Sequence, residues 1–147
     1  MSFPVQQAVS DFHKKFGHPV RDELTIIPRD EADQAFGFIE EELYETLDAL
    51  YPEDELRSCG EPGCCDIVER SYGPDIIEVA DGLADVVWTA YGMALRFGID
   101  LDAVLREVAA SNMTKEANGM GKIKKGKDYR PPNVALALGL PVEEEQD

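Results

Sequence analysis

Residues 76–95 read IIEVADGLADVVWTAYGMAL, and this stretch decides the fold. Apolar residues occupy almost every direction around a helix drawn through it: Ile76, Ile77, Val79, Leu83, Val86, Val87, Trp88, Tyr91 and Leu95. A helix apolar on nearly all sides is expected to be buried on most of them. Yet Glu78, Asp81 and Asp85 interrupt it at i, i+3 and i+7, so one sector carries three carboxylates, shared with Gly82, Thr89 and Gly92. A carboxylate on a buried helix needs a partner, because an unpaired buried charge is costly. Pro74 and Gly98 bracket the segment, which predicts a helix from about Pro74 to Phe97.

Upstream, Phe36, Ile39, Leu43, Leu47 and Leu50 form an apolar stripe on a second predicted helix, from an Asp30 N-cap to about Tyr51 before Pro52. It contains Glu40-Glu41-Glu42-Leu43-Tyr44-Glu45. At about 100° per residue, Glu41, Glu42 and Glu45 share one narrow sector. Taken alone, they could be a solvated acidic face. Beside Glu78, Asp81 and Asp85 they form an all-oxygen set that suits a hard divalent ion, Mg²⁺ or Mn²⁺. Helix bundles are known hosts for such sites, but a di-iron centre would want Glu-x-x-His pairs, and neither helix carries a His.

Two further helices complete an all-α pattern. Val5, Val9, Phe12 and Phe16 predict one over Phe3–Phe16, ended by Gly17. Asp100 can cap another, with Leu101, Val104, Leu105 and Val108 on its apolar face, ending near Asn112. We therefore expect an antiparallel four-helix bundle. A single domain over 1–147 is expected, with residues 52–73 a variable loop, 115–130 a basic segment, a short helix around Val134–Leu138 and 139–147 an acidic tail. Trp88, Tyr91 and His13 read as packing residues. Cys59, Cys64 and Cys65, an odd number in one loop, form neither a disulfide framework nor a zinc motif.

The 147 residues carry a net charge of −16. Such a chain repels nucleic acid polymers and anionic lipid, so a phosphate-bearing ligand requires a metal ion or a local basic patch. The patch exists: Lys115, Lys122, Lys124, Lys125, Lys127 and Arg130 crowd a Gly-rich stretch. Lys124 and Lys127 could equally be solvated loop residues. With no signal-peptide pattern and no apolar span, a cytoplasmic protein without membrane contact is expected (the host cytoplasm, if phage-encoded).

Glu-Glu-x-x-Glu on one helix and an acidic pair on the next resemble the MazG and phosphoribosyl-ATP pyrophosphohydrolase superfamily. Phe12-His13-x-x-Phe16-Gly17-His18-Pro19, Leu83-Ala84-Asp85-Val86-Val87, Ser111-Asn112-Met113-Thr114-Lys115, Lys122-x-x-Lys125 and Tyr129-Arg130-Pro131 add to the resemblance, which covers roughly residues 3 to 135. It is nearest the small single-domain forms of bacteria and bacteriophages. The family pattern Glu-x-x-Asp is met literally by Glu78 and Asp81. The Leu-Ala-Asp register instead places the Asp at Asp85 and its Glu on Gly82, so Asp81 would substitute from one residue earlier.

The resemblance implies a metal-dependent hydrolase that splits a (deoxy)nucleoside triphosphate, of the dUTP, dCTP or dGTP kind, into its monophosphate and pyrophosphate. It implies metal ligands among Glu41, Glu42, Glu45, Asp81 and Asp85, with Glu78 alternate, and Glu42 as the base that takes a proton from water. Lys115, Lys122, Lys125 and Arg130 would neutralise phosphates, Tyr129 would stack on base or ribose, and Asn112 would hydrogen-bond sugar or phosphate. It also implies a homo-oligomer, dimer or tetramer. Competing readings are hydrolysis of phosphoribosyl-ATP, and a non-enzymatic helical interaction module whose acids are only a solvated surface.

Overall fold

A computed structural model describes residues 3–50, 74–117 and 123–141. The Cys59/Cys64/Cys65 loop and Lys122 lie outside these residues. The order is α1 (Val5–Phe16), α2 (Arg29–Leu50), α3 (Ile76–Phe97), α4 (Leu101–Asn112), β1 (Glu116–Ala117), β2 (Ile123–Lys124) and α5 (Val134–Ala137). The fold is all-α, with four long helices. Among the described residues the sole sheet is the two-stranded antiparallel β1–β2 hairpin, which pairs Glu116 with Lys124 and Ala117 with Ile123. Alternation does not announce strands of two residues. No described helix is long and apolar enough to cross a membrane.

The chain divides into two compact units, Pro28–Ala90, and Met1–Ile27 together with Tyr91–Asp147. In the first, α2 and α3 run antiparallel. The Asp75 N–H donates to the Ala49 carbonyl (3.1 Å), and further along Gly82 abuts Thr46. α2 begins one residue earlier than its expected Asp30 cap, so Asp30 and Glu31 fall in the first turn and face the positive end of the helix dipole. α3 begins at Ile76, where the Asp75 carboxylate accepts from the N–H groups of Ile77 (3.0 Å) and Glu78 (3.3 Å).

The inward face of α2 shares only Ile39 with its apolar stripe. Ala35 and Thr46 are buried and Ile39, Glu42 and Ala49 half-buried. These positions alternate steps of four and three, the spacing of a helix-packing seam. Phe36, Leu43 and Leu47 stand a few positions round the helix, and Leu43 is 50% exposed. The expectation that α3 is buried on most sides is likewise corrected within one chain: Ile77 is 75% and Leu83 56% exposed.

In the second unit the core gathers Val9, Ile27, Tyr91, Ala94 and Leu95, with His13, Arg96 and Ser111 buried among them. The buried face of α1 is Val9, Ser10 and His13, whereas Phe12 and Phe16 pack on one another at its flank, ring centroids 4.7 Å apart. The start of α4 is capped twice. Asp100 accepts from Ala103 N–H (2.9 Å), and the Gln6 amide oxygen of α1 accepts from Leu101 (2.9 Å) and Asp102 (3.3 Å). Tyr91 donates to the Asp102 carboxylate (2.6 Å); burial first, and that bond second, push its phenol up to about 12. Gly98 ends α3 at φ +68, and a side chain there would run into the Glu23 carbonyl. The segment after α1 lies along this end of α3, with Arg21 N–H on Leu95 (3.0 Å) and Thr25 N–H on Phe97 (2.9 Å).

His13 is a packing residue, as its place on α1 suggests. Nδ1 lies 3.1 Å from the Pro19 carbonyl, an acceptor, so Nδ1 carries the proton. Nε2 lies against Gly92, where an added Cβ would come within 2.9 Å. Burial lowers the imidazole pKa most; the Pro19 bond opposes this, and His18 and Arg96 lower it further. A folded pKa below the unfolded value near 6.5 means the unfolded chain binds the proton more readily. Stability is therefore full above about pH 6.5 and declines as pH falls towards the folded pKa. Urea unfolding midpoints should drop between pH 7.5 and pH 5, with the drop reduced in His13→Gln. An equal drop in both chains would refute the assignment.

Candidate functional site

The acids of α2 and α3 come together because the two helices touch at a residue with no side chain. A Cβ on Gly82 would collide with the Thr46 hydroxyl and stand 3.2 Å from the Thr46 Cα. Thr46 itself donates to the Glu42 carbonyl one turn back (2.7 Å), and Thr89 to that of Asp85 (2.9 Å). Both hydroxyls are thus satisfied on their own helices, which lets that of Thr46 lie against Gly82 of the neighbouring helix without an unpaired polar group.

Just along from this contact, Glu42 is half-buried and surrounded by negative charge. Its carboxyl is held above the ordinary value by burial first, then by Asp85, Glu45, Glu41 and Asp81. Four of the five predicted partners of Glu42 are therefore close enough to act on it. Glu78, nearer the start of α3, is not among them. Asp85 is half-buried, while Glu41, Glu45 and Asp81 are exposed. Among the described residues no group of three His, Cys, Asp and Glu side chains is drawn close enough to hold a metal ion. The donors are nonetheless of the right kind: carboxylate oxygens with mutual repulsion and no cation paired to them among the described residues, the environment a hard divalent ion relieves.

The register question at Gly82 has a steric answer. A glutamate there would occupy the space of Thr46, so the acidic positions available on α3 beside Glu42 are Asp81 and Asp85. Thr46 and Gly82 were not singled out from the sequence as site-forming residues. The seam of positions 35, 39, 42, 46 and 49 was the signal that could have found Thr46.

The basic segment belongs to the other unit. An open cleft of about 460 Å³ is lined by Asn112, Lys115, Ile123, Lys124 and Lys125. Three predicted binding residues, Asn112, Lys115 and Lys125, meet here, together with Ile123 and Lys124. Tyr129 and Arg130 do not line the cleft but hold it: the Lys125 ammonium sits 4.9 Å over the Tyr129 ring. The Ser111 hydroxyl donates to the Arg130 carbonyl (2.8 Å), and Arg130 N–H donates to the Thr114 hydroxyl (2.9 Å).

Residues 9–112 match the family described as phosphoribosyl-ATP pyrophosphohydrolase. No curated protein matches the chain. The matched residues hold α2, α3 and α4, most of α1 and all the acids just described, and they end where α4 ends, before the basic hairpin. Enzymes of this family act on phosphoanhydride bonds of nucleotides and are generally dependent on divalent metal. With the match extending over more than half of its length, the chain belongs to the phosphoribosyl-ATP pyrophosphohydrolase family and is a nucleotide pyrophosphohydrolase.

Proposed function

We propose that this chain, acting as one catalytic domain, hydrolyses a (deoxy)nucleoside triphosphate of the dUTP, dCTP or dGTP kind between its α- and β-phosphates. The products are a monophosphate and pyrophosphate. The observation that carries this reading is the gathering of Glu41, Glu45, Asp81 and Asp85 around the half-buried Glu42. These residues would hold Mg²⁺ or Mn²⁺, which supplies charge neutralisation at phosphate oxygens and an acidified water. Glu42, flanked by the other acids, takes the proton of the attacking water. Asp81 and Asp85 would serve as metal ligands from the facing helix. Glu78 stands apart as an alternate ligand. Asn112, Lys115, Lys122, Lys125, Tyr129 and Arg130 carry the substrate-binding part of the reading: ammonium and guanidinium groups for phosphate, an amide and a ring for sugar and base.

The second reading, hydrolysis of phosphoribosyl-ATP, is favoured by the description of the matched family. It is separated by comparing kcat/KM for dUTP, dCTP, dGTP and phosphoribosyl-ATP with Mg²⁺ or Mn²⁺. The proposal expects a deoxynucleoside triphosphate to lead; a lead for phosphoribosyl-ATP of tenfold or more would replace it with the second reading.

We further propose a homo-oligomer, dimer or tetramer, in the cytoplasm. Leu43, Leu47, Leu83 and Val87 on α2 and α3 are about half exposed in the single chain, and Ile76 and Ile77 nearly three-quarters. Apolar surface of this extent on paired helices is ordinarily covered. Light scattering should give a mass of two or four chains, and Leu43→Glu with Leu83→Glu should lower it. A monomeric mass at working concentration would contradict this.

A further inference from the structure

Helices α2 and α3 each turn a single carboxylate inward. Of Ala35, Ile39, Glu42, Thr46 and Ala49, the inward seam of α2, only Glu42 is acidic. On α3 the matching positions are Gly82, Asp85 and Thr89, all buried or half-buried, and only Asp85 is acidic. Asp85 is the foremost of the charges that Glu42 feels, as expected of two groups meeting across the seam. Glu41, Glu45, Glu78 and Asp81 are exposed. Neighbours on one helix face lie three and four positions apart, so a second inward carboxylate beside Asp85 would have to stand at 81, 82, 88 or 89. Asp81 is exposed, and Trp88 and Thr89 are not acids. Position 82 is closed, because a Cβ there would collide with the Thr46 hydroxyl and stand 3.2 Å from the Thr46 Cα. That hydroxyl is held in place by its bond to the Glu42 carbonyl (2.7 Å).

We propose that each chain holds one divalent ion, not two, at the Glu42–Asp85 pair, because the contact of Gly82 with Thr46 fills the place from which a second inward carboxylate would come. This rests on the metal-dependent reading of the site and goes beyond it in the number of ions. The donor count fits a single ion. Mg²⁺ is ordinarily bound by one or two carboxylates and keeps several waters, whose places phosphate oxygens can take. A two-ion centre holds its ions about 3.5–4 Å apart. Two dications that close repel one another strongly, and they need further carboxylates among them to offset it. The seam supplies no third. Glu41, Glu45 and Asp81 support the same ion from the exposed side, where water can take the place of any one of them.

Titration of the full, metal-stripped chain with Mn²⁺, followed by the electron paramagnetic resonance of the free ion, counts the bound ions without reference to turnover. The expected result is one Mn²⁺ per chain. Asp85→Asn should weaken binding by more than about 100-fold, beyond the cost of losing an outer partner of a metal ligand. Asp81→Asn should keep one ion per chain, with affinity lowered by about tenfold. Thr46→Ala combined with Gly82→Glu opens the closed place and supplies the carboxylate, so this chain should bind two ions and show the spectrum of a coupled pair. Two ions per natural chain, or unchanged binding in Asp85→Asn, overturns the proposal and leaves the metal-dependent reading standing. A single ion in the double variant, with its circular dichroism intact, overturns the part given to position 82. No Mn²⁺ bound by the natural chain sinks the metal-dependent reading and the single-ion centre together.

Discussion

Glu42→Gln is expected to lower kcat by about 10³-fold, the magnitude attached to loss of a positioned general base, while the folded chain remains as stable as before or slightly more so. The two outcomes follow from the same surroundings. Glu42 is half-buried on α2 and feels Asp85, Glu45, Glu41 and Asp81, all of its own sign. A carboxyl whose folded pKa is raised binds protons more readily in the fold than in the unfolded chain, so its ionised form weakens the fold above the folded pKa. Gln keeps the shape and removes the charge, which relieves the repulsion. It cannot accept a proton from water, and it is a poorer partner for a divalent ion. Steady-state kinetics and urea unfolding on the same preparations check both halves. An unchanged kcat would remove Glu42 from the chemistry. A large loss of stability would mean that Glu42 serves the fold instead.

Gly82→Ala is expected to lower kcat/KM by about 10²-fold, the cost of misplacing reacting groups by about 1 Å. The added methyl has nowhere to go, because the Thr46 hydroxyl occupies its place and the Thr46 Cα lies 3.2 Å away. α2 and α3 must separate or slide, and Glu42 and Thr46 shift relative to Asp81 and Asp85. Stability should change less than activity. Overpacking costs about 1–3 kcal/mol, against which alanine recovers roughly 1 kcal/mol of helix propensity. Gly37→Ala, on α2 where a Cβ meets nothing within 4 Å, is the control. It should stabilise the chain by up to about 1 kcal/mol and leave kcat/KM unchanged. Thr46→Ala combined with Gly82→Ala should recover part of the lost activity. Full activity in Gly82→Ala alone would mean that the helix contact does not set the geometry of the acids.

The helices were legible because their punctuation is local. Gly17 and Gly98 end α1 and α3 in the left-handed region, and Asp100 caps α4. Their faces were less so. Phe12, Phe36, Leu43 and Leu47 look like core in a single sequence, since periodicity reports which residues share a direction but not what lies there. In the chain, smaller and polar residues turn inward instead: Ser10, His13, Ala35, Thr46 and Gly82. Close helix approach needs small residues, and the large apolar ones are left exposed in the single chain.

The acidic cluster was readable as a set of directions on two helices. Its grouping about Glu42 depends on how α2 and α3 meet, which the contact of Gly82 with Thr46 determines. Glu78 illustrates the difference: it shares a helical sector with Asp85 but lies too near the start of α3 to act on Glu42. In the basic segment, composition pointed to the anion site that the proposed function adopts. The hairpin brings Ile123 and Lys124 to the cleft and leaves Tyr129 and Arg130 off its lining, because strand pairing reverses the chain within a few residues.

The most direct test incubates the full chain with Mg²⁺ or Mn²⁺ and each common ribo- and deoxynucleoside triphosphate, alongside Glu42→Gln and Asp85→Asn, and resolves the products by chromatography. The account predicts monophosphate and pyrophosphate from at least one deoxynucleotide, with turnover lost in both variants. Diphosphate and phosphate, or monophosphate formation undiminished in both variants, would contradict it.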